Sequence, residues 1–411
     1  MDEKTKNPFE LNRVRENFPI LDQDINGSKL IYFDNAASTQ KPSRVIKSIK
    51  QYYESDHSNV HRGVHSLSIR ATESYEKSRR VISSYINAKH EHEVIHTKGT
   101  TEAINLVAQS ISDQIKENDE ILISAMEHHS NIVPWQELCK RTGACLKVIP
   151  INEAGEINLD EMNRLISSKT RIISITHVSN TLGTINPIKK IINLAKSVDA
   201  LTLIDGAQAA AHMRIDVQDI DCDFYVFSGH KLYGPTGTGV LYGKEEILNS
   251  LNPYQYGGEM ILKVTFEETT YNSLPHKFEA GTPNIAGAIG LMHAIEYLKE
   301  IDFDSAIDHE MAIHDYALHQ LKLLPKLKII GAAKDKSSII SFTIGELHPH
   351  DVGTILNQKA VAVRTGHHCT MPLMDFYQIP GTIRASFSFY NSKEEVDVLI
   401  SALEIATEML S

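Results

Sequence analysis

Two apolar runs near the middle of the chain each break off in a short polar signature. Leu203-Ile204 ends in Asp205-Gly206-Ala207-Gln208, and Phe224-Tyr225-Val226-Phe227 ends in Ser228-Gly229-His230-Lys231. Short, continuous apolar runs of this kind suit strands covered on both faces, the habit of a parallel sheet. Such sheets lie between layers of helices, and their ligands sit at the carboxyl ends of the strands. The two signatures therefore constrain fold and site together. One presents a carboxylate and the other an amine.

The same order recurs along the chain. Residues 9–18 read as a short helix ending near Pro19. Strand-like runs at 30–33, 93–97, 120–124, 171–176, 200–204, 225–227 and 239–242 are interleaved with helical periodicity at 42–53, 71–86, from 101, near 132 and over 188–198. This predicts an α/β architecture with a mainly parallel sheet covered on both faces. Beyond Pro283 a long helix over roughly 285–300 leads into another pattern. A helix at 305–323, a strand at 337–344, a helix at 350–358, a loop with Cys369, a strand at 383–389 and a terminal helix from Lys393 predict a smaller α+β domain. The expected division is 25–290 for the large domain, and 1–24 with 291–411 for the small one. A length of 411 residues suits two such units.

Composition excludes several classes. A net charge of −11 argues against a nucleic-acid surface. No apolar run approaches the roughly 20 residues that span a bilayer. The start, Met1-Asp2-Glu3-Lys4-Thr5-Lys6-Asn7, is charged and lacks an apolar signal core. Four cysteines (Cys139, Cys145, Cys222 and Cys369) do not make a disulfide framework in a chain this long. A cytoplasmic protein with free thiols is expected. Cys139, Cys145 and Cys222 sit in apolar or helical settings and read as packing residues.

Lys231 and Asp205 meet the two needs of pyridoxal phosphate: an amine for its aldehyde and an acid for its ring nitrogen. Taken singly, they read as a solvated loop lysine and a helix cap; it is the pair at two strand ends that favours the cofactor. Gly99-Thr100-Thr101-Glu102 opens a helix after a strand, so it is either an ordinary N-cap or an anion site that Ser228 and His230 complete. In Glu127-His128-His129-Ser130-Asn131, a histidine can stack on a flat ring and carry protons, or lie on the surface or bind a metal. Arg384 lies in a predicted strand and either clamps a carboxylate or makes a surface ion pair.

Arg364-Thr365-Gly366-His367-His368-Cys369-Thr370-Met371-Pro372 is the second strong signature. A thiol in a polar turn beside imidazoles and an arginine suits a nucleophile. The competing readings are a buried structural cysteine and a zinc site built from His367, His368 and Cys369 with His348 or His350. The spacing lacks the usual paired ligand geometry, so no intrinsic metal site is expected.

Together these residues resemble the cysteine desulfurases of fold-type I in the class-V aminotransferase superfamily, on the SufS-like group II branch. The resemblance runs from Asp34-Asn35-Ala36-Ala37-Ser38 to Arg384-Ala385-Ser386 and includes His61-Arg62-Gly63-Val64-His65, Phe278-Glu279-Ala280-Gly281-Thr282-Pro283 and the Cys369 loop. It implies a large domain around a seven-stranded, mainly parallel sheet. It implies that Lys231 holds pyridoxal 5'-phosphate, with Asp205 on the ring nitrogen, Gln208 on the ring oxygen and His128 stacked on the ring and carrying protons. Thr100, Thr101, Ser228 and His230 would hold the phosphate, with Thr282 coming from the second subunit of a homodimer. Asn180 and Arg384 would bind the substrate carboxylate, with Arg364 near the substrate and Cys369. The implied reaction converts L-cysteine to L-alanine and leaves a persulfide on Cys369. The persulfide passes to a SufU-type or SufE-type acceptor for iron–sulfur cluster assembly. A selenocysteine lyase or another lyase of the superfamily would use the same cofactor site. Tyr256-Gly257-Gly258 departs from the longer glycine run of many relatives. His348-Pro349-His350-Asp351-Val352 looks like the stretch of desulfurases that serve a zinc-containing acceptor, with His350 as the candidate zinc ligand during transfer.

Overall fold

The computed structural model describes residues 9–410. Its large unit is built on a seven-stranded sheet. From edge to edge the strands are Val94–Thr97, Gly239–Gly243, Phe224–Ser228, Leu201–Asp205, Thr170–Thr176, Glu120–Ser124 and Cys145–Ile149. Gly239–Gly243 runs against both of its neighbours. The pairs from Phe224–Ser228 to Cys145–Ile149 are all parallel. Every residue of Phe224–Ser228 and of Glu120–Ser124 is buried, as continuous apolar runs require. Asp205 and Ser228 are the last residues of neighbouring strands, so their signatures open on the same edge.

The helix Ile285–Glu300 is buried on most of its surface and packs on Ser66–Tyr85 and Ser43–Gln51. Beyond it lies a four-stranded antiparallel sheet in the order Leu327–Ile330, Ile339–Ile344, Thr382–Ser386, Arg364–Gly366. Helices Phe303–Leu323, Pro349–Gln358 and Lys393–Leu410 cover it around a core that includes Phe33, Phe342, Ile383, Phe387 and Leu399. The N-terminal segment ties the units together. Ile31–Tyr32 pairs with Val361–Ala362. Phe18 is buried with its ring centroid 4.7 Å from that of Tyr390 and 5.8 Å from that of Tyr297. The N-terminal helix is shorter than its periodicity suggests, Leu11–Arg15, with a 3-10 turn at Pro19–Asp22. Among the described residues no helix is long and apolar enough to cross a membrane.

The antiparallel strand Gly239–Gly243 lies tightly against the turn that precedes Thr100. A Cβ at Gly239 would fall 2.4 Å from Gly99 Cα and 2.8 Å from the Phe227 carbonyl oxygen. Both are backbone atoms that cannot swing aside. Gly239→Ala is expected to cost about 1–3 kcal/mol of stability. Gly257→Ala, whose Cβ would meet nothing within 4 Å, should stay within about 0.5 kcal/mol of the parent. Denaturant midpoints measure both, and equal midpoints would contradict the packing.

Candidate active site

A cavity of about 260 Å³ opens at the carboxyl edge of the large sheet, between it and the small unit. Its lining contains Lys231, Asp205, Gln208, His128, Thr100, Thr101, Ser228, His230, Asn180, Arg364, Arg384 and Cys369. Of the residues assigned to the cofactor, the substrate and the chemistry, Thr282 alone lies elsewhere. It is exposed on the turn before the helix Ile285–Glu300.

Lys231 follows the strand Phe224–Ser228 through the 3-10 turn Gly229–Lys231. Burial lowers its ammonium pKa to about 8, against the opposing pull of Asp205. Asp205 is 3 % exposed, and burial raises its carboxyl pKa while the Ala207 N–H, 2.9 Å from Oδ1, and Lys231 act the other way. Gln208 donates from Nε2 to the Ala36 carbonyl at 2.7 Å, which fixes its amide over the pocket floor.

Opposite them, Ser228 Oγ accepts the Thr100 N–H at 2.9 Å and lies 2.8 Å from Thr100 Oγ1. Gly99, at φ 152, leads into the helix Thr100–Ser110. Hydroxyls and free N–H groups of the first helical turn converge there, as an anion site requires. His230 and Lys41 lie alongside; burial lowers both, His230 to about 4 and Lys41 to about 8. His128 Nδ1 accepts the Ser130 N–H at 3.1 Å, which leaves the ring proton on Nε2. Burial, reinforced by the charge of Lys231, lowers His128 to about 3, so its imidazole is neutral.

The small sheet supplies the other wall. Arg364 and Arg384 are register partners on adjacent strands. Two like charges directly opposite are unfavourable unless a counter-charge intervenes. Asp34 is that counter-charge. It accepts from Arg364 Nε at 3.0 Å and Nη2 at 2.9 Å, and from Arg384 Nη2 at 3.3 Å. Arg384 is 2 % exposed and donates from Nη1 to the Asn180 carbonyl at 2.9 Å. Its Nε is buried without a partner. Burial lowers its pKa to about 10.

Cys369 is exposed in a strained turn. His368 and Cys369 take φ of 50 and 58, two successive non-glycine residues in the left-handed region, which costs roughly 1–2 kcal/mol each. Hydrogen bonds hold them there. Asn180 Nδ2 donates to the His368 carbonyl at 2.8 Å, the His129 N–H donates to the Cys369 carbonyl at 2.8 Å, and the Cys369 N–H donates to His367 Nδ1 at 3.1 Å. The Met371 N–H reaches His129 Nε2 at 3.0 Å. The large unit thus grips the loop that carries the thiol.

Sequence reasoning missed the organising roles of Asp34 and His129. Asp34 follows the apolar run 30–33 directly, the same signal that marked Asp205. His129 lies beside His128 and carried no separate signal. Cys222 is buried as a packing residue, and burial pushes its thiol pKa upward. Cys145 corrects the expectation: it is exposed, because its strand is an edge of the sheet.

The class-V aminotransferase model matches residues 31–399. This chain belongs to the class-V aminotransferase family, on its cysteine desulfurase branch. It is 49% identical over 396 residues to a probable cysteine desulfurase of Halalkalibacterium halodurans, covering 96% of this chain and 97% of that one. It is 48% identical to a cysteine desulfurase of Synechococcus elongatus over 96% of its own length, but spans 63% of that longer relative. The crystal structure of the cysteine desulfurase CsdA from Escherichia coli superposes with a TM-score of 0.92 at 38% identity, covering 98% of this chain and 100% of that one.

Burial of Lys231 yields a titration. The neutral amine increases as pH rises through the folded-state value of about 8, whereas an exposed lysine needs about 10.4. Acylation of Lys231 in cofactor-free protein, followed by peptide mass spectrometry, should rise with a midpoint near pH 8. A midpoint at the ordinary lysine value would contradict the buried environment.

Proposed function

We propose that this protein is a pyridoxal-phosphate-dependent cysteine desulfurase, converting L-cysteine to L-alanine with a persulfide on Cys369. The observation that carries the reading is one cavity lined both by the buried pair Lys231 and Asp205 and by the exposed Cys369. The residues present fit the cofactor. A buried amine of lowered pKa suits its aldehyde, a buried carboxylate its ring nitrogen, and the Thr100, Thr101, Ser228 and His230 cradle its phosphate. Bound there, pyridoxal phosphate supplies an aldehyde for the amine and a ring that accepts the electron pair released at the substrate Cα.

The protein's own residues do the rest. Arg384, with its unpaired Nε, and Asn180 hold the substrate carboxylate. Arg364, held by Asp34, lies at the mouth near Cys369. Neutral Lys231 Nζ takes the Cα proton. Gln208 and His128 would hold the cofactor ring, and the Nε2 of His128 would carry a proton between the ring side and the substrate. The Cys369 thiolate then attacks the substrate sulfur. A new S–S bond forms and the Cβ–S bond breaks. Its electron pair goes to Cβ, which is protonated; Lys231 returns the proton to Cα, and alanine leaves.

The reading extends to partners. Thr282 is exposed away from the cavity, consistent with delivery of its hydroxyl to the other subunit of a homodimer. Cys369 is exposed and can meet an acceptor of SufU or SufE type for iron–sulfur cluster assembly. His350 is exposed in the first turn of Pro349–Gln358 and is the candidate contact for a zinc-containing acceptor. A free thiol at Cys369 suits the reducing cytoplasm. The matching domain division is a cofactor-binding unit over 25–290 and a small unit of 1–24 and 291–411 carrying Cys369.

Two variants separate the halves of the reaction. Lys231→Ala should lose the yellow absorbance of the cofactor-loaded protein and alanine formation together. Cys369→Ala should keep the absorbance and lose alanine formation by at least about a hundredfold. Normal turnover by Lys231→Ala, or loss of cofactor capture in Cys369→Ala, would contradict the assignment.

A further inference from the structure

Away from the cavity, three segments bring imidazole nitrogens and carboxylates together. His61 sits in a loop at φ 70. Its Nε2 lies 2.9 Å from Glu76 Oε1, on the helix Ser66–Tyr85. Its Nδ1 lies 3.1 Å from Glu259 Oε1 but is buried and makes no aligned hydrogen bond. The ring of His276 stands edge-on to that of His61, with centroids 4.9 Å apart. His276 Nδ1 is also buried with no hydrogen-bond partner. One ligand atom each from His61, Glu76 and His276 lie within 4.8 Å of one another, an arrangement confined to this trio among the described residues.

We propose that His61, Glu76 and His276 form a binding site for a divalent transition-metal ion of the zinc class. Two imidazoles and a carboxylate are a sufficient protein ligand set for zinc, with water in the fourth position. Tetrahedral bonds of about 2.1 Å place ligand atoms roughly 3.4 Å apart, so small side-chain rotations close the site. The outer contacts are those a metal site needs. Glu259 stands behind His61 as the carboxylate that orients a ligating imidazole, and Arg79 Nε donates to Glu76 Oε2 at 3.1 Å. The ion pair between His61 and Glu76 explains one nitrogen of one ring. Glu259 stands at its other nitrogen, but neither carboxylate accounts for His276, whose buried Nδ1 is left without a partner. The metal engages both rings. It departs from the sequence expectation because the three ligands lie far apart in the chain, without a recognisable spacing. The ion would lock the His61 loop to the turn His276–Phe278, which leads directly into Glu279 and Thr282.

The test is a calorimetric titration with Zn²⁺ of the cofactor-loaded, chelator-stripped protein, in a Cys369→Ala background that removes the exposed active-site thiol. One ion per chain is expected. His276→Ala and His276→Gln should each weaken it at least about tenfold, and added Zn²⁺ should raise the unfolding temperature of the parent but not of either variant. If His276→Ala unfolds, His276→Gln decides. No stoichiometric binding by the parent, or equal binding by a folded His276 variant, would overturn the proposal.

Discussion

Everything at this site depends on holding one amine and one carboxylate out of water at the ends of neighbouring strands. The fall of Lys231 from 10.5 to about 8 corresponds to roughly 3 kcal/mol against its charged form. Asp205 reduces that penalty without cancelling it, because its own desolvation also opposes charge. The result is an amine whose neutral, nucleophilic fraction near physiological pH is far larger than that of an exposed lysine, although the ammonium form still predominates there. A parallel sheet is suited to this task. Its strands end together, its faces are dry, and the residue after each strand projects into the crevice. The neutrality of His128 and His230 follows from the same burial.

The second constraint is the like-charged pair Arg364 and Arg384 across two small-unit strands. Asp34 resolves it, and Asp34 itself is bridged to Ser386 of the same sheet. The N-terminal segment is therefore part of the site's electrostatics as well as of the packing around Phe18. Asn180 joins this wall to the thiol: its carbonyl takes Arg384 and its amide holds the His368 carbonyl. On the proposed reading, a substrate carboxylate at Arg384 would be placed by the same residue that positions the Cys369 turn. The backbone strain at His368 and Cys369 is held by contacts from outside the loop, as strain at a functional turn must be.

Much of this was legible in the sequence because burial on both faces leaves a one-letter trace. The runs ending at Asp205 and Ser228 had no charged interruption, and both are interior strands. Cys145–Ile149 was missed for the opposite reason. It is an edge strand with exposed positions, so Lys147 breaks its apolar pattern. The hairpin Ile261–Val264 with Thr269–Tyr271 was missed because its residues are mostly exposed, with no buried face to impose alternation. Asp34 and His129 act through partners more than 200 residues away, Arg364 and Met371 among them. No local pattern encodes such pairings. Motif residues such as Lys231 and Cys369 were visible because reactive groups stood where a packing residue would not.

The central claim is that sulfur leaves the substrate onto Cys369 and no other thiol. The most direct measurement is mass spectrometry of alkylated peptides after a single turnover with L-cysteine. The account predicts one added sulfur on the peptide containing Cys369, none on those of Cys139, Cys145 or Cys222, and none anywhere in Lys231→Ala. Cys145 is the stringent internal control, because it is also exposed. Added sulfur on Cys145, or an unlabelled Cys369 in protein that has released alanine, would contradict it.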